Sequence, residues 1–209
     1  MTRKEHWEKV YQTKEFSEVS WYQATPTESI AFLEAAQLPR NAKIIDIGGG
    51  ESLFVNYLLS AGYENITVLD ISENAIEKKK TELKEDAVKI TWIVSDIADF
   101  QPIQKYDFWH DRATFHFLTE KKEINKYLKT IKKYVNQQGI LMVGTFSETG
   151  PTKCSGLAIK QYSETTLSER IGKFFNKIKC ITTEHLTPFN TIQNFLFCSF
   201  QNLATIEKK

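Results

Sequence analysis

The segment Asp46-Ile47-Gly48-Gly49-Gly50-Glu51-Ser52 joins an apolar run ending at Ile47 to a helical period beginning at Ser52. Consecutive glycines at such a junction remove the side chains that would hold a ligand away from the backbone. That is the mechanical basis of nucleotide-type sites at the carboxyl ends of strands in open parallel sheets. A chain built around this turn should alternate strands with helices, and this one does. Residues 43–47 read as a first strand, 52–60 as a helix ended by Gly62, and 66–70 as a second strand. Ser72 caps a helix whose exposed face is Lys78, Lys79, Lys80 and Lys84; residues 90–94 and 106–109 read as the third and fourth strands. Between Glu120 and Val135 the apolar residues Ile124, Leu128, Ile131 and Val135 form one helical stripe, with the lysines between them on a solvated face. Residues 140–146 complete a fifth strand. The alternation implies an α/β fold with a largely parallel sheet.

The flanks differ in character. Trp7, Tyr11, Phe16, Trp21 and Tyr22 cluster in residues 1–24 among Lys and Glu, which reads as an aromatic arm rather than a core. Thr25, Pro26 and Glu28 spell a helix start, with Thr25 as cap, Pro26 at the first helical position and Glu28 closing a capping box. Residues 147–161 form a long connection containing Gly150, Pro151 and Gly156, of a length that is usually functional or mobile. Ser163 then caps a short helix ending at Gly172. Two last strands, near 179–185 and 194–200, reverse at Thr187, Pro188, Phe189 and Asn190, so they pair antiparallel.

Charge and cysteine content exclude several classes. Lys+Arg number 27 against 26 Asp+Glu, leaving no global basic field for nucleic acid or an anionic membrane surface. No apolar run approaches the ~18 residues of a membrane span, and Met1 to Trp7 is charged with no signal-type apolar region behind it, so a soluble cytoplasmic protein is expected. Cys154, Cys180 and Cys198 lack CxxC spacing, which indicates neither a disulfide framework nor a zinc site; reduced thiols are expected. The four histidines show no metal-ligand spacing, and no metal is expected.

Three acids give the glycine turn a sign. A dinucleotide site would want a small residue where Leu53 stands and would set pyrophosphate beside Asp46, carboxylate against phosphate. A cationic ligand, an aminoacyl ammonium or a sulfonium, reverses that repulsion. Asp70 ends the second strand about 20 residues past the glycines, the spacing at which a carboxylate accepts from ribose hydroxyls. Asp96 follows the third strand behind Ser95, where it can accept from an exocyclic amine. The plain alternative for each acid is a turn or helix-cap role.

With these residues the chain resembles the class I S-adenosylmethionine (SAM) dependent methyltransferases, through the glycine turn, Asp70 and Ser95-Asp96-Ile97. The resemblance implies a Rossmann-like seven-stranded, mostly parallel sheet with helices on both faces and an antiparallel last strand. It implies SAM as cofactor and S-adenosylhomocysteine (SAH) as product. Gly48 and Gly50 then face the methionine part, Asp46 and Gly49 belong to the same cofactor-binding turn, Asp70 binds the ribose, Ile71 packs on the adenine, and Asp96 with Ile97 holds the adenine edge. A single domain follows: the arm at 1–24, a cofactor-binding core at 40–146, and an acceptor-side loop, helix and strand pair at 147–209. Trp7-Glu8-Lys9-Val10-Tyr11 and Val19-Ser20-Trp21-Tyr22 are similar to the opening of thiopurine, tellurite and some protein-lysine methyltransferases. There aromatic residues close over the cofactor, which implies Trp21 and Tyr22 as a lid; stapling of the arm to the sheet is the alternative.

In the implied fold the fourth strand runs into Trp109-His110-Asp111-Arg112-Ala113-Thr114-Phe115-His116 at the acceptor. His110 and Arg112 become candidates for touching substrate, with Arg112 able to anchor a carboxylate or oxyanion bidentately. His110 would also border the cofactor. His185 and Tyr162 are further candidates for the acceptor pocket, and His110 or His185 for a general base. Asp111 and Arg112 can alternatively form a local ion pair, His116 reads as a core or cap histidine, and Cys154 as an exposed loop thiol. The Asn/Asp-Pro-Pro-Tyr of amino-nucleobase methyltransferases is absent, and Asp111-Arg112-Ala113 stands where several lysine methyltransferases carry Asp-Lys-Gly. The expectation is methyl transfer to a small-molecule acceptor. A protein-lysine methyltransferase, a non-catalytic SAM-binding module and a nicotinamide-dependent oxidoreductase are the alternatives, and the oligomeric state is left open.

Overall fold

Pairing between apolar runs distant in sequence organises the chain into one large sheet, seen in a computed structural model that describes residues 1–203. Positions 204–209 of the expected acceptor-side segment lie outside the described residues. The strands are β1 Lys43–Ile47, β2 Asn65–Asp70, β3 Ile90–Val94, β4 Tyr106–Arg112, β5 Val135–Phe146, a small hairpin β6 Lys153–Cys154 and β7 Leu157–Ala158, then β8 Phe175–Leu186 and β9 Ile192–Asn202. The large sheet has the order β3-β2-β1-β4-β5-β9-β8. β1 to β5 pair in parallel, and β9 inserts antiparallel between β5 and β8. Chain direction reverses its march across the sheet between β1 and β4, the switch point at which strand ends open a crevice.

Among the described residues six α-helices cover the sheet: α1 Arg3–Thr13, α2 Thr27–Ala35, α3 Phe54–Ser60, α4 Glu73–Leu83, α5 Lys121–Tyr134 and α6 Glu164–Ile171. Side chains alternate across each strand, so β1 and β4 feed two cores at once. Ile44, Val68 and Phe108 pack with Phe32 and Leu33 of α2 and with Phe54 and Leu58 of α3. Ile45, Ile47 and Trp109 pack on the opposite face with Ile124, Leu128 and Ile131 of α5 and with Leu167 and Ile171 of α6. The apolar stripe expected on α5 is thus its buried face.

Several local expectations need correction. The N-terminal arm is a helix with a Thr2/Glu5 capping box, and Trp7, Val10 and Tyr11 are buried against Ala75 of α4. Arg3, Trp7, Val10 and Tyr11 fall at i, i+4, i+7 and i+8, one helix face, a period masked by the Lys and Glu between them. At α2 it is Pro26 that occupies the N-cap; no side chain caps the helix, and Thr25 contributes only its carbonyl, to the Thr27 N–H. Lys79 is fully buried rather than solvated, its ammonium donating to Glu82 and Asn56. The fourth and fifth strands are longer than expected, and the connection at 147–161 is folded into the β6–β7 hairpin. Cys180 and Cys198 form a disulfide, which overturns the expectation of reduced thiols. They stand opposite each other in the β8–β9 register, a juxtaposition that only strand pairing reveals.

Candidate active site

The glycine turn follows β1 in the crevice beside β2 and β4. Gly48 has φ +68°, a left-handed value costly for any side chain, and a Cβ there would fall 2.0 Å from Thr114 Oγ1. At Gly49 a Cβ would fall 2.7 Å from Asp46 Oδ2 and 2.8 Å from Val68 Cγ1. Gly50 does not line the cleft; its missing Cβ admits the Asp70 carboxylate, which a side chain would meet at 2.8 Å. The turn is therefore closed by neighbours on its protein side. Above it lies a cleft walled by the ends of β1, β2, β3 and β4 and roofed by α1 and the segment after it.

Asp46, Gly48, Gly49, Asp70, Ile71, Asp96 and Ile97, all expected at a cofactor, line this one cleft, together with Trp21, His110 and Arg112. Asp46, His110 and Arg112 share the face of the sheet toward α2. His110 Nδ1 is 2.6 Å from Asp46 Oδ1 and its Nε2 is 2.8 Å from Ser29 Oγ on α2. All three side chains are buried. With Asp46 ionised, Nδ1–H donates to Oδ1 and Nε2 accepts the Ser29 hydroxyl proton, an assignment made from the network. Both ring nitrogens are thereby occupied, so His110 holds Asp46 in place and is not a free base, contrary to expectation. Asp46 Oδ2 is buried without a partner among the described residues.

Asp70 is buried at the end of β2 and accepts the Ser72 N–H at 2.8 Å. Loss of water raises its carboxyl from 3.8 to about 7, with that backbone N–H opposing the rise and the Asp46 charge adding to it. Burial likewise raises Glu51 in the same cleft. Asp96 is gripped by Arg3 of α1, whose Nη1 lies 2.9 Å from Oδ2 while its Nη2 lies 2.7 Å from Glu123. A second clasp is Glu8, which accepts from the Ser72 hydroxyl and from the Glu73 and Asn74 N–H groups at the N-terminus of α4. A carboxylate is favoured there by the helix dipole and the free N–H groups. These contacts hold Glu8 below the ordinary carboxylate range, against a desolvation term of the opposite sign.

The acceptor-side expectations divide. Trp21 lines the cleft and meets Trp7 edge-on at 5.6 Å between ring centroids. Tyr22 does not line it and packs against Phe16. His185 is not on the cleft wall either: its Nε2 lies 2.8 Å from the Ser20 carbonyl oxygen, and burial lowers its pKa. Tyr162 is buried on the far face, stacked on Phe115. Asp111 and Arg112 point to opposite faces and form no ion pair. Asp111 accepts from the Thr114 and Phe115 N–H groups and from the Tyr127 hydroxyl; Arg112 Nη1 donates to the Trp21 carbonyl. His116 is the core histidine expected, taking the Phe146 N–H on Nδ1, its pKa driven to about 3 by burial and by the Arg112 charge. Cys154 is a buried cleft residue rather than an exposed thiol, pushed up to about 12 by desolvation.

Arg3, Glu51 and Thr114 line the cleft without having been site candidates in the sequence, and Tyr11, read there only as part of the arm, lines it too. The helical stripe of α1 was the available signal for Arg3 and Tyr11; nothing local marks Thr114. No group of three or more potential metal-ligating residues occurs among the described residues.

A switch-point cleft floored by glycines and carrying Asp46, Glu51, Asp70 and Asp96 defines a Rossmann-like domain suited to a cationic adenosyl ligand. A family model described as a methyltransferase domain matches residues 38–192, most of the chain, and the chain belongs to that family, the SAM-dependent methyltransferases of class I. It is similar to malonyl-[acyl-carrier protein] O-methyltransferase of Anoxybacillus flavithermus, 32% identical over 139 residues, covering 63% of this chain and 50% of the relative. It is also similar to EEF1A lysine methyltransferase 2 of Danio rerio, 26% identical over 157 residues, covering 67% and 66%. Among solved structures it resembles the N-methyltransferase NodS of Bradyrhizobium japonicum in complex with SAH, with a TM-score of 0.70 at 14% identity, covering 93% of this chain and 97% of that one. The chain spans about half the length of the O-methyltransferase relatives it matches.

The residues present fit SAM. The unpartnered Asp46 Oδ2 offers a buried acceptor to an ammonium, Asp70 an acceptor to vicinal hydroxyls, and the glycine cradle leaves no side chain in the way.

Proposed function

We propose that this protein transfers a methyl group to a small-molecule acceptor, in the cytoplasm. What carries the reading is the cleft itself, in which a carboxylate-lined cofactor end runs into a wall containing Arg112, Trp21 and Cys154. When bound, SAM would supply an electrophilic methyl on a sulfonium, which the acceptor would attack in line as SAH leaves as the neutral thioether. The protein's part is alignment and exclusion of water. Asp46 would hold the methionine end, Asp70 the ribose and Asp96 the adenine edge, with Trp7, Tyr11 and Trp21 covering the cofactor. His110 is engaged at both nitrogens, His185 is turned to a backbone carbonyl, and the Cys154 thiol is held protonated. None of the three is positioned to take a proton, so the acceptor brings its own nucleophilic lone pair.

A second reading, methylation of a protein lysine, is favoured by the similarity to the EEF1A enzyme, which extends over 67% of the chain. Against it, an ammonium entering the acceptor end would meet the buried Arg112 guanidinium. No helix among the described residues is long and apolar enough to cross a membrane. The test is incubation of a cell lysate with methyl-labelled SAM and the protein, followed by separation of proteins from small molecules. Label in the small-molecule fraction supports the proposal, whereas label confined to a protein band selects the lysine reading.

A further inference from the structure

Arg112 contains a feature that the reading above leaves unused. Its Nη1 donates to the Trp21 carbonyl at 3.1 Å, but Nε and Nη2 are buried with no partner among the described residues. The guanidinium lies 5.4 Å from the Phe195 ring centroid and lines the cleft. It forms no ion pair among the described residues, and burial pulls its pKa down to about 10, with Glu28 and Asp46 acting on it only through their fields. Burying a cation with two unmade hydrogen bonds is costly unless something later makes them. Nε–H and its neighbouring Nη–H point in parallel, so the pair is a side-on fork matched to the two oxygens of a carboxylate.

The cofactor's own carboxylate is the competing claimant. The position of Arg112 argues against it. Asp46 and the glycine turn, the expected methionine end, lie beside His110, whereas Arg112 is two residues further along β4, paired with Gly144 of β5 and packed on Phe195 of β9. Cys154 of the β6–β7 hairpin and the Trp21 segment complete its surroundings.

We infer that the methyl acceptor is a carboxylic acid, anchored in the acceptor end of the cleft by the Nε and Nη2 donors of Arg112. The inference rests on the small-molecule reading above and concerns the anchor, not the atom methylated. A planar carboxylate satisfies both donors at once, and the desolvated site rejects an uncharged isostere because the guanidinium would then stay unpaired. A lysine side chain is rejected more strongly, by like charge.

The probes are benzoate, malonate, benzamide and inorganic phosphate, titrated into the full-length protein saturated with SAH, with binding followed by NMR through the Arg112 Nε–H resonance and by calorimetry. Benzoate or malonate should bind at least about tenfold more tightly than benzamide, with the Nε–H resonance moving downfield. In Arg112→Gln the preference of acid over amide should vanish; Arg112→Lys, which keeps the charge but not the fork, should retain only part of it. SAH affinity of all three proteins is measured first, so that the acid-over-amide preference of each is read with the cleft saturated by SAH. Equal binding of acid and amide would overturn the inference while leaving methyl transfer intact. So would phosphate binding that exceeds both acids. Loss of SAH affinity in Arg112→Gln, with affinity for methylthioadenosine unchanged, would assign the fork to the cofactor's carboxylate instead. Failure of the unaltered protein to bind SAH at all would overturn the methyltransferase reading itself.

Discussion

Asp70 links cofactor binding to pH. Its carboxyl, raised from 3.8 to about 7 by burial, is partly protonated in the free protein near neutrality. Ribose hydroxyls donate to the ionised form, so binding below pH 7 must expel a proton. For a free-state value near 7, SAH affinity should be about tenfold weaker at pH 6 than at pH 8, or about 1.4 kcal/mol. Above about pH 8 the curve should flatten. The ceiling on the effect is the whole cost of ionising the buried group, on the order of 4 kcal/mol for a shift of about three units. The same shift has the opposite sign for the stability of the free protein. Because the folded-state value lies above the unfolded one, burial of neutral Asp70 costs nothing below pH 3.8, and stability falls as pH rises from there to about 7. Calorimetry of SAH binding at pH 6 in two buffers of different ionisation enthalpy should report release of close to one proton. Asp70→Asn should abolish both the release and the slope and should lower affinity at pH 8 by about one to two decades. Asp86→Ala, which removes an exposed carboxylate paired with Lys89, should leave both unchanged. A flat affinity between pH 6 and 8, or a slope that survives Asp70→Asn, would refute the argument.

Three further outcomes are expected. Gly49→Ala should reduce SAH affinity by at least about tenfold while the protein remains folded by circular dichroism, because the new methyl displaces the Asp46 carboxylate from its place under the ligand. His110→Ala should lower stability by about 3 kcal/mol or more in denaturant melts, since it strands both Asp46 oxygens in a buried site; Ser29→Ala, which strands only one ring nitrogen, should cost about 1 kcal/mol. Glu8→Gln should speed hydrogen exchange across residues 3–13. In the unaltered protein that segment should loosen as pH falls through the depressed Glu8 value, because a carboxylate lowered on folding stabilises above its ordinary range and ceases to do so when protonated.

The features legible in the sequence are those with a period or a punctuation mark. The glycine turn, the acids that end β2 and follow β3, the α5 stripe and the antiparallel close each depend on residues near one another in the chain, and each is found in the structure. The misreadings share the opposite property. In α4 the period is legible, since Lys79 follows Ala75 and Ile76 at i+4 and i+3 on the buried face, but the groups that accept its ammonium and cover it, Asn56 on α3 and the Phe16 ring, come from elsewhere in the chain. Cys180 and Cys198 become partners only when β8 and β9 adopt their register. His110 looks like a base until Ser29, 81 positions away, is found on its second nitrogen. The alternative of an Asp111–Arg112 pair fails for the simplest reason of all, that neighbours in a strand face opposite sides of the sheet.

That last point also explains how one strand serves two purposes. β4 sends His110 and Arg112 toward α2 and the cleft, and Trp109 and Asp111 toward α5. Asp111 spends its carboxylate on Thr114 N–H, Phe115 N–H and the Tyr127 hydroxyl, which fixes the turn that follows the strand. Thr114 in that turn donates its hydroxyl to the Ile47 carbonyl and stands where a Gly48 side chain would have to go. The far-face polar network is therefore coupled through Thr114 to the glycine turn on which the cofactor end of the cleft is built. Burial also raises Asp111, to about 6, so the network is at its weakest when that carboxyl protonates and loses acceptor strength toward three donors. The geometry of the glycine turn is thus set as much by a carboxylate that never faces the ligand as by the glycines themselves.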